Sequence, residues 1–167
     1  MQFRYYPESQ SRGGQAEVDF LDILKSRGFH AWKGSDFDDL RGTDIFFVGK
    51  NDQTVGVDVK AMKRISRRTE IQDDLTAVEF QNVIGEKGWL YHGAALLAFE
   101  RERDFILINK EVLLAFCLEK VNRFHFVSSP HDALYKVYMR TGRQDIISMI
   151  RLTDLPEDKV RIWPKIQ

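Results

Sequence analysis

Two carboxylates and a lysine in the first third of the chain have types and spacing suited to metal-dependent hydrolysis. Asp58 and Lys60 are two residues apart in an alternating, valine-rich segment, so on a strand both side chains would leave the same face of the sheet. Asp44 opens an earlier β-rich segment, and antiparallel pairing of the two segments would bring its carboxylate towards that of Asp58. Two carboxylates repel each other unless a cation lies between them, and Mg²⁺ binds one or two carboxylates together with water and phosphate. The pattern predicts a divalent-metal site for phosphate-ester hydrolysis, where Lys60 orients the attacking water or offsets developing charge.

A third carboxylate, Glu17, falls on the apolar side of a predicted helix over residues 15–27. Phe20 and Leu24 follow it at positions i+3 and i+7. A carboxylate directed at a sheet is costly to bury without a partner, which a metal site would supply. Each acid also has an ordinary explanation as a strand-surface, turn or helix-dipole residue. Their occurrence together within residues 17–60 favours one shared site over separate explanations.

Hydrophobic periodicity and turn residues indicate the elements that must position these side chains. A polar, irregular lead-in precedes the first helix, and turn residues between two strands in the first third favour a β-hairpin. The order predicts a mixed sheet flanked by helices, in the α/β (α+β) class. The lead-in covers residues 2–14; helices are expected over 15–27, 72–84 and 110–120, and strands over 29–32, 44–48, 54–60, 94–99, 105–108, 134–139 and 146–151.

Three short motifs together resemble the PD-(D/E)XK nuclease superfamily, which includes restriction endonucleases, archaeal Holliday-junction resolvases and phage nucleases. They are Ala16-Glu17, Gly42-Thr43-Asp44-Ile45 and Asp58-Val59-Lys60. The resemblance implies a single nuclease domain over residues 1–167, with a restriction-endonuclease-like αβββαβ core over about 14–120 and a β-containing extension over about 121–167. It further implies that Asp44 and Asp58 bind Mg²⁺ or Mn²⁺ with the Val59 carbonyl. Glu17 would hold a second metal or a metal water, and Lys60 would be the catalytic lysine.

Basic residues without an intervening acid directly follow the proposed site. A cationic run at the exit of the active-site strand predicts salt-dependent contact with DNA phosphates, against the ordinary alternative of a solvated charge run. The four residues are Lys63, Arg64, Arg67 and Arg68. Further candidates for metal, phosphate or base contact, each with a structural alternative, are Asp36, Asp38, Asp39, Glu79, Gln81, Asn82, Trp89 and Tyr91.

Composition excludes several other classes of protein. The 167 residues contain 25 Lys+Arg and 25 Asp+Glu, and the resulting net charge of zero excludes a polycation that coats nucleic acid by bulk charge. A hydrophobic content of 43% is enough for a core and excludes wholesale disorder. No run approaches the ~18 apolar residues of a membrane span, and the first residues lack a signal peptide's apolar stretch. With Cys117 as the single cysteine, we expect a soluble cytoplasmic protein that does not bind membranes.

The favoured hypothesis is a divalent-metal-dependent DNA endonuclease that hydrolyses phosphodiester bonds with an activated water. One alternative is a catalytically inactive nuclease-fold module that binds DNA or protein, and another is a structural protein with ordinary surface charges. An enzyme that cuts both strands would act as a homodimer, but no pattern in the sequence reveals an interface. Oligomeric state and preferred DNA structure therefore stay open.

Overall fold

The fold was obtained as a computed structural model and is described for residues 7–64 and 70–166, with side chains from residue 12 onward. In this range the chain forms helices α1 (Pro7–Ser26), α2 (Asp36–Leu40) and α3 (Lys110–Lys120). The strands are β1 (Ala31–Lys33), β2 (Ile45–Val48), β3 (Thr54–Lys60), β4 (Leu75–Gln81), β5 (Leu96–Glu100), β6 (Asp104–Asn109), β7 (Ile146–Arg151) and β8 (Val160–Pro164).

Six of the strands form one mixed sheet, in the order β1-β2-β3-β5-β6-β8. Strands β3 and β5 are parallel, and the other neighbouring pairs are antiparallel. Strands β4 and β7 pair with each other in a separate two-stranded sheet. The predicted α+β class with a mixed sheet is confirmed, as is the hairpin of β2 and β3.

Hydrophobic clusters cover both faces of the six-stranded sheet, and the alternation of side chains along the central strands assigns each residue to one of them. On the first face, Val57 and Val59 of β3 pack with α1 residues such as Phe20. On the second face, side chains of β5 and β6, among them Leu97 and Ile108, pack with α3 and with the β4–β7 pair. Asp58 and Lys60 alternate with the two valines and so project from the second face.

The prediction of a helix over residues 72–84 is wrong, because this segment contains strand β4. Val78 and Phe80 are buried at a spacing of two, and β4 pairs with β7 almost seventy residues later in the chain. The segment thus gains its hydrogen bonds from a distant partner rather than from its own turns. In the described part of the connection between the parallel strands β3 and β5, the chain forms strand β4 and no α-helix. The predicted αβββαβ order of the core is therefore wrong at this point.

Three further expectations also need correction. The lead-in over 2–14 is not irregular throughout, because α1 begins at Pro7. Residues 134–139 do not form a regular strand; Tyr135 has a positive φ of 54°, and the segment makes only isolated bridges. Strand β8 was not expected, although it pairs with β6 along its whole length.

Among the helices of the described residues, none has the length and apolar content needed to cross a membrane.

Candidate active site

The β2–β3 hairpin brings Asp44 and Asp58 to the same end of two paired strands. Ile45 lies opposite Val57, so the next pair outward is Asp44 and Asp58. Two hydrogen bonds hold Asp44: its backbone N–H donates to the Val57 carbonyl at 2.9 Å, and its Oδ2 accepts from the Val59 N–H at 2.6 Å. The backbone of β3 therefore fixes the Asp44 carboxylate beside Asp58.

Both carboxylates are buried, with 8% of Asp44 and 3% of Asp58 exposed to solvent. Burial raises the pKa of Asp44 to about 7; the hydrogen bond from Val59 opposes this shift, and the charges of Asp58 and Glu17 add to it. Negative charge is thus concentrated where little solvent can stabilise it. A cation at this end of the hairpin would favour the ionised form of Asp44.

The two carboxylate oxygens of Asp58 have different surroundings. Lys60 Nζ lies 2.8 Å from Oδ1. The Oδ2 atom is buried and has no hydrogen-bond partner among the described residues. A buried carboxylate oxygen without a partner costs free energy, and an oxygen-liganded divalent ion would satisfy it. The donor set of two adjacent carboxylates therefore suits Mg²⁺ or Mn²⁺, and the Val59 carbonyl stays a predicted ligand.

Glu17 is engaged by a basic side chain of the neighbouring strand. Its Oε2 lies 2.8 Å from Lys33 Nζ, and this contact raises the pKa of Lys33. Helix α1, which carries Glu17, packs on the first face of the sheet, whereas Asp58 projects from the second. The charge of Glu17 contributes to the raised pKa of Asp44. In the described segments, however, no three acidic, histidine or cysteine side chains are grouped closely enough to hold one metal ion.

The basic residues behind the site are described only in part. Lys63 and Arg64 are exposed and lie shortly after the end of β3, and the Lys63 carbonyl accepts a hydrogen bond from the Gln72 N–H at 3.1 Å. Arg67 and Arg68 lie outside the described residues. An open pocket is lined by Asp38, Arg41, Thr43, His92 and Gly93, and it thus reaches the residue before Asp44.

Three of the other candidates make structural hydrogen bonds. Asp38 belongs to the capping box of α2, and the signal for this helix was the Ser-x-x-Asp spacing from Ser35. Gln81 donates to the Gln144 carbonyl, and the Asn82 side chain accepts from backbone N–H groups of the following turn. Asp39 makes the smallest contribution among those that raise the Asp44 pKa.

Sequence reasoning missed two lysines near the carboxylates. Lys33 lies between Glu17 and Asp44 in the sequence and Lys110 lies well after the motifs, and no local pattern connects either lysine with Asp44 or Asp58. The signal for Lys110 was a lysine at the start of a largely apolar helix, directly after a buried strand.

Comparison of the chain with protein-family models, with curated proteins and with solved structures finds no match.

Proposed function

We propose that this protein hydrolyses DNA phosphodiester bonds with a divalent metal ion held by Asp44 and Asp58, and that it belongs to the PD-(D/E)XK nuclease superfamily. The observation that carries the proposal is the buried Asp58 Oδ2, which lacks a hydrogen-bond partner among the described residues and lies beside a second buried carboxylate. A structural carboxylate at 3% exposure is normally satisfied on both oxygens. A cation-binding role explains why this one is not.

The residues around the ion have separable tasks. When bound, the divalent ion supplies positive charge to the phosphate and lowers the pKa of a coordinated water. Asp44 and Asp58 provide the ligand oxygens, and the Val59 N–H keeps Asp44 in position. Lys60, whose ammonium lies beside Asp58 Oδ1, is placed to offset negative charge on the scissile phosphate or to orient the attacking water.

A nucleic-acid substrate is supported by the charges that flank the carboxylates. Lys63 and Arg64 follow Lys60 after Ala61 and Met62 and are exposed, so phosphates beside the scissile bond would meet cations there. Arg41 and His92 add polar groups to the open pocket that includes Thr43, the residue before Asp44. The chain as a whole is neutral, which concentrates attraction for DNA in this local patch rather than over the whole surface.

A substrate panel tests the proposal directly. The purified chain is incubated with supercoiled plasmid, linear duplex, a four-way junction and single-stranded DNA, each with Mg²⁺, Mn²⁺ or EDTA. We expect cleavage of at least one substrate with a divalent ion and none with EDTA. Absence of cleavage on the whole panel, together with no Mn²⁺ binding by calorimetry, would contradict the proposal. DNA binding that survives Asp44→Ala under those conditions would favour the non-catalytic binding module.

The role of Glu17 can be separated from its ion pair with Lys33. If Glu17 acts at the metal site, Glu17→Gln lowers the cleavage rate by about tenfold or more, the range typical of residues that support metal ligands. Lys33→Gln breaks the same ion pair at an exposed lysine and is expected to leave the rate within about threefold, as surface ion pairs contribute little. Single-turnover cleavage rates of the two variants decide the question. Equal losses would show that Glu17 serves only as a partner for Lys33.

A further inference from the structure

A buried lysine lies beside the proposed site without belonging to it. Lys110 is the first residue of α3 and only 7% exposed. A cation is disfavoured both by burial and by the positive end of a helix dipole. Burial lowers the pKa of Lys110, the charge of Asp58 acts in the opposite direction, and that of Lys60 lowers it again. A lysine kept at so costly a position needs compensating contacts.

Those contacts are two backbone carbonyls of one short segment. Lys110 Nζ donates to the Trp89 carbonyl at 2.9 Å and to the His92 carbonyl at 2.6 Å. The two acceptors lie at the start and just past the end of the 3₁₀ turn Trp89–Tyr91. The Lys110 ammonium thus links the two ends of the turn and holds the backbone of Trp89 in position.

The indole of Trp89 connects this turn with the proposed catalytic lysine. Lys60 Nζ lies 4.7 Å from the centre of the Trp89 ring, within the range of a cation–π interaction, and Lys110 Nζ lies 5.4 Å from the same ring. Lys60 also contacts Asp58 Oδ1 at 2.8 Å. A flexible four-carbon side chain is therefore held at two points, one a carboxylate and the other an aromatic face.

We infer that Lys110 is a positioning residue for Lys60, acting through the Trp89 turn that it holds in place. Loss of the Lys110 ammonium would release the two carbonyls, let the indole move and free Lys60 to leave the Asp58 carboxylate. The consequence for cleavage rests on the proposed function, whereas the contact between Lys60 and Trp89 does not. If Lys110 served only to satisfy the two carbonyls, its loss would lower stability without changing the surroundings of Lys60.

Nuclear magnetic resonance of the full chain with ¹³C-labelled lysine measures this contact without any activity assay. In the wild-type protein we expect nuclear Overhauser effects from the ε-CH₂ groups of both lysines to the Trp89 indole, and an upfield ring-current shift at Lys60, assigned by its loss in Lys60→Met. In Lys110→Met the Lys60 shift should move towards the value of an exposed lysine. Lys120→Met is the matched control, because Lys120 is exposed on the same helix and should change nothing.

Cleavage kinetics provide the second readout. In Lys110→Met we expect kcat to fall roughly 10- to 100-fold, the cost of a misplaced catalytic group, with KM nearly unchanged. If Lys110→Met does not fold, Lys110→Gln replaces it with the same expectations, since glutamine is too short to reach both carbonyls. Absence of the wild-type ring-current shift, or its persistence in the folded variant, would overturn the inference. A wild-type chain that neither cleaves DNA nor binds Mn²⁺ would refute the nuclease proposal and leave the resonance measurement to decide the positioning role.

Discussion

Replacement of Asp58 by asparagine is expected to abolish metal-dependent cleavage while the chain still folds. Asparagine keeps the shape of the side chain but removes the charge that would bind the ion and that holds Lys60 at 2.8 Å. Loss of several kcal/mol of charge stabilisation in the transition state corresponds to a fall in kcat of roughly 10³-fold. Initial rates at saturating Mg²⁺ measure the loss, and calorimetry with Mn²⁺ should show that binding is weakened in parallel.

Asp145→Asn is the matched control for this variant. Asp145 is also a fully buried aspartate paired with a basic side chain, that of Arg140, but it lies next to β7 instead of in the β2–β3 hairpin. Its replacement should lower the free energy of unfolding and leave kcat within a few-fold of wild type, because a buried ion pair that loses one partner is destabilising wherever it lies. Asp58→Asn with wild-type cleavage and wild-type Mn²⁺ affinity would rule out the assigned chemistry.

The hairpin that carries the two carboxylates was predictable because its information is local. Alternating valines define the faces of β3, and the turn residues before Thr54 require the chain to reverse. The limits of α3 and β7 were predicted for the same reason, since each is a largely apolar segment with charged or polar residues at its ends.

Elements that depend on distant partners were not predictable in this way. Strand β4 forms its ladder with the distant strand β7, and a local window over its sequence fits helical spacing as well as alternation. Strand β8 is short, ends at Pro164 and is stabilised by pairing with β6 some fifty residues earlier. For both strands, the local sequence alone gives strand and non-strand conformations of similar free energy, and pairing with a distant strand decides between them.

In the candidate site, too, residues placed by local structure were predicted and contacts between distant segments were not. Asp44, Asp58 and Lys60 were identified because one hairpin carries all three. Contacts with Lys33 and Trp89 depend on how α1, β1 and the segment before β5 pack, which no spacing in the sequence encodes. Glu17 shows what helix periodicity can and cannot predict. The spacing correctly predicts that Glu17 points towards the sheet, but it does not predict which face of the sheet or which partner residue Glu17 meets.

Replacement of Asp44 by asparagine is expected to stabilise the metal-free protein at alkaline pH, although it removes a proposed ligand. The folded-state pKa of about 7 lies above the ordinary aspartate value of 3.8, so the folded chain binds more protons than the unfolded chain between these limits. Stability due to this group is complete below about pH 4 and is lost as the pH rises to about 7. Above pH 7 the folded protein holds a buried, repelled carboxylate that asparagine lacks.

At pH 8 in EDTA we therefore expect Asp44→Asn to raise the free energy of unfolding by roughly 2 to 4 kcal/mol, an advantage that disappears towards pH 4. Asparagine still accepts the hydrogen bond from the Val59 N–H, so the variant keeps the hairpin contact. Urea unfolding across this pH range measures the difference, and Asp22→Asn, at an exposed aspartate of α1, should change stability by less than about 0.5 kcal/mol at every pH. Saturating Mg²⁺ should narrow the gap, because an ion that binds only the folded wild type restores its stability by mass action. A variant less stable than wild type at pH 8 without metal would show that Asp44 is already neutralised within the fold and carries no charge for an ion to bind.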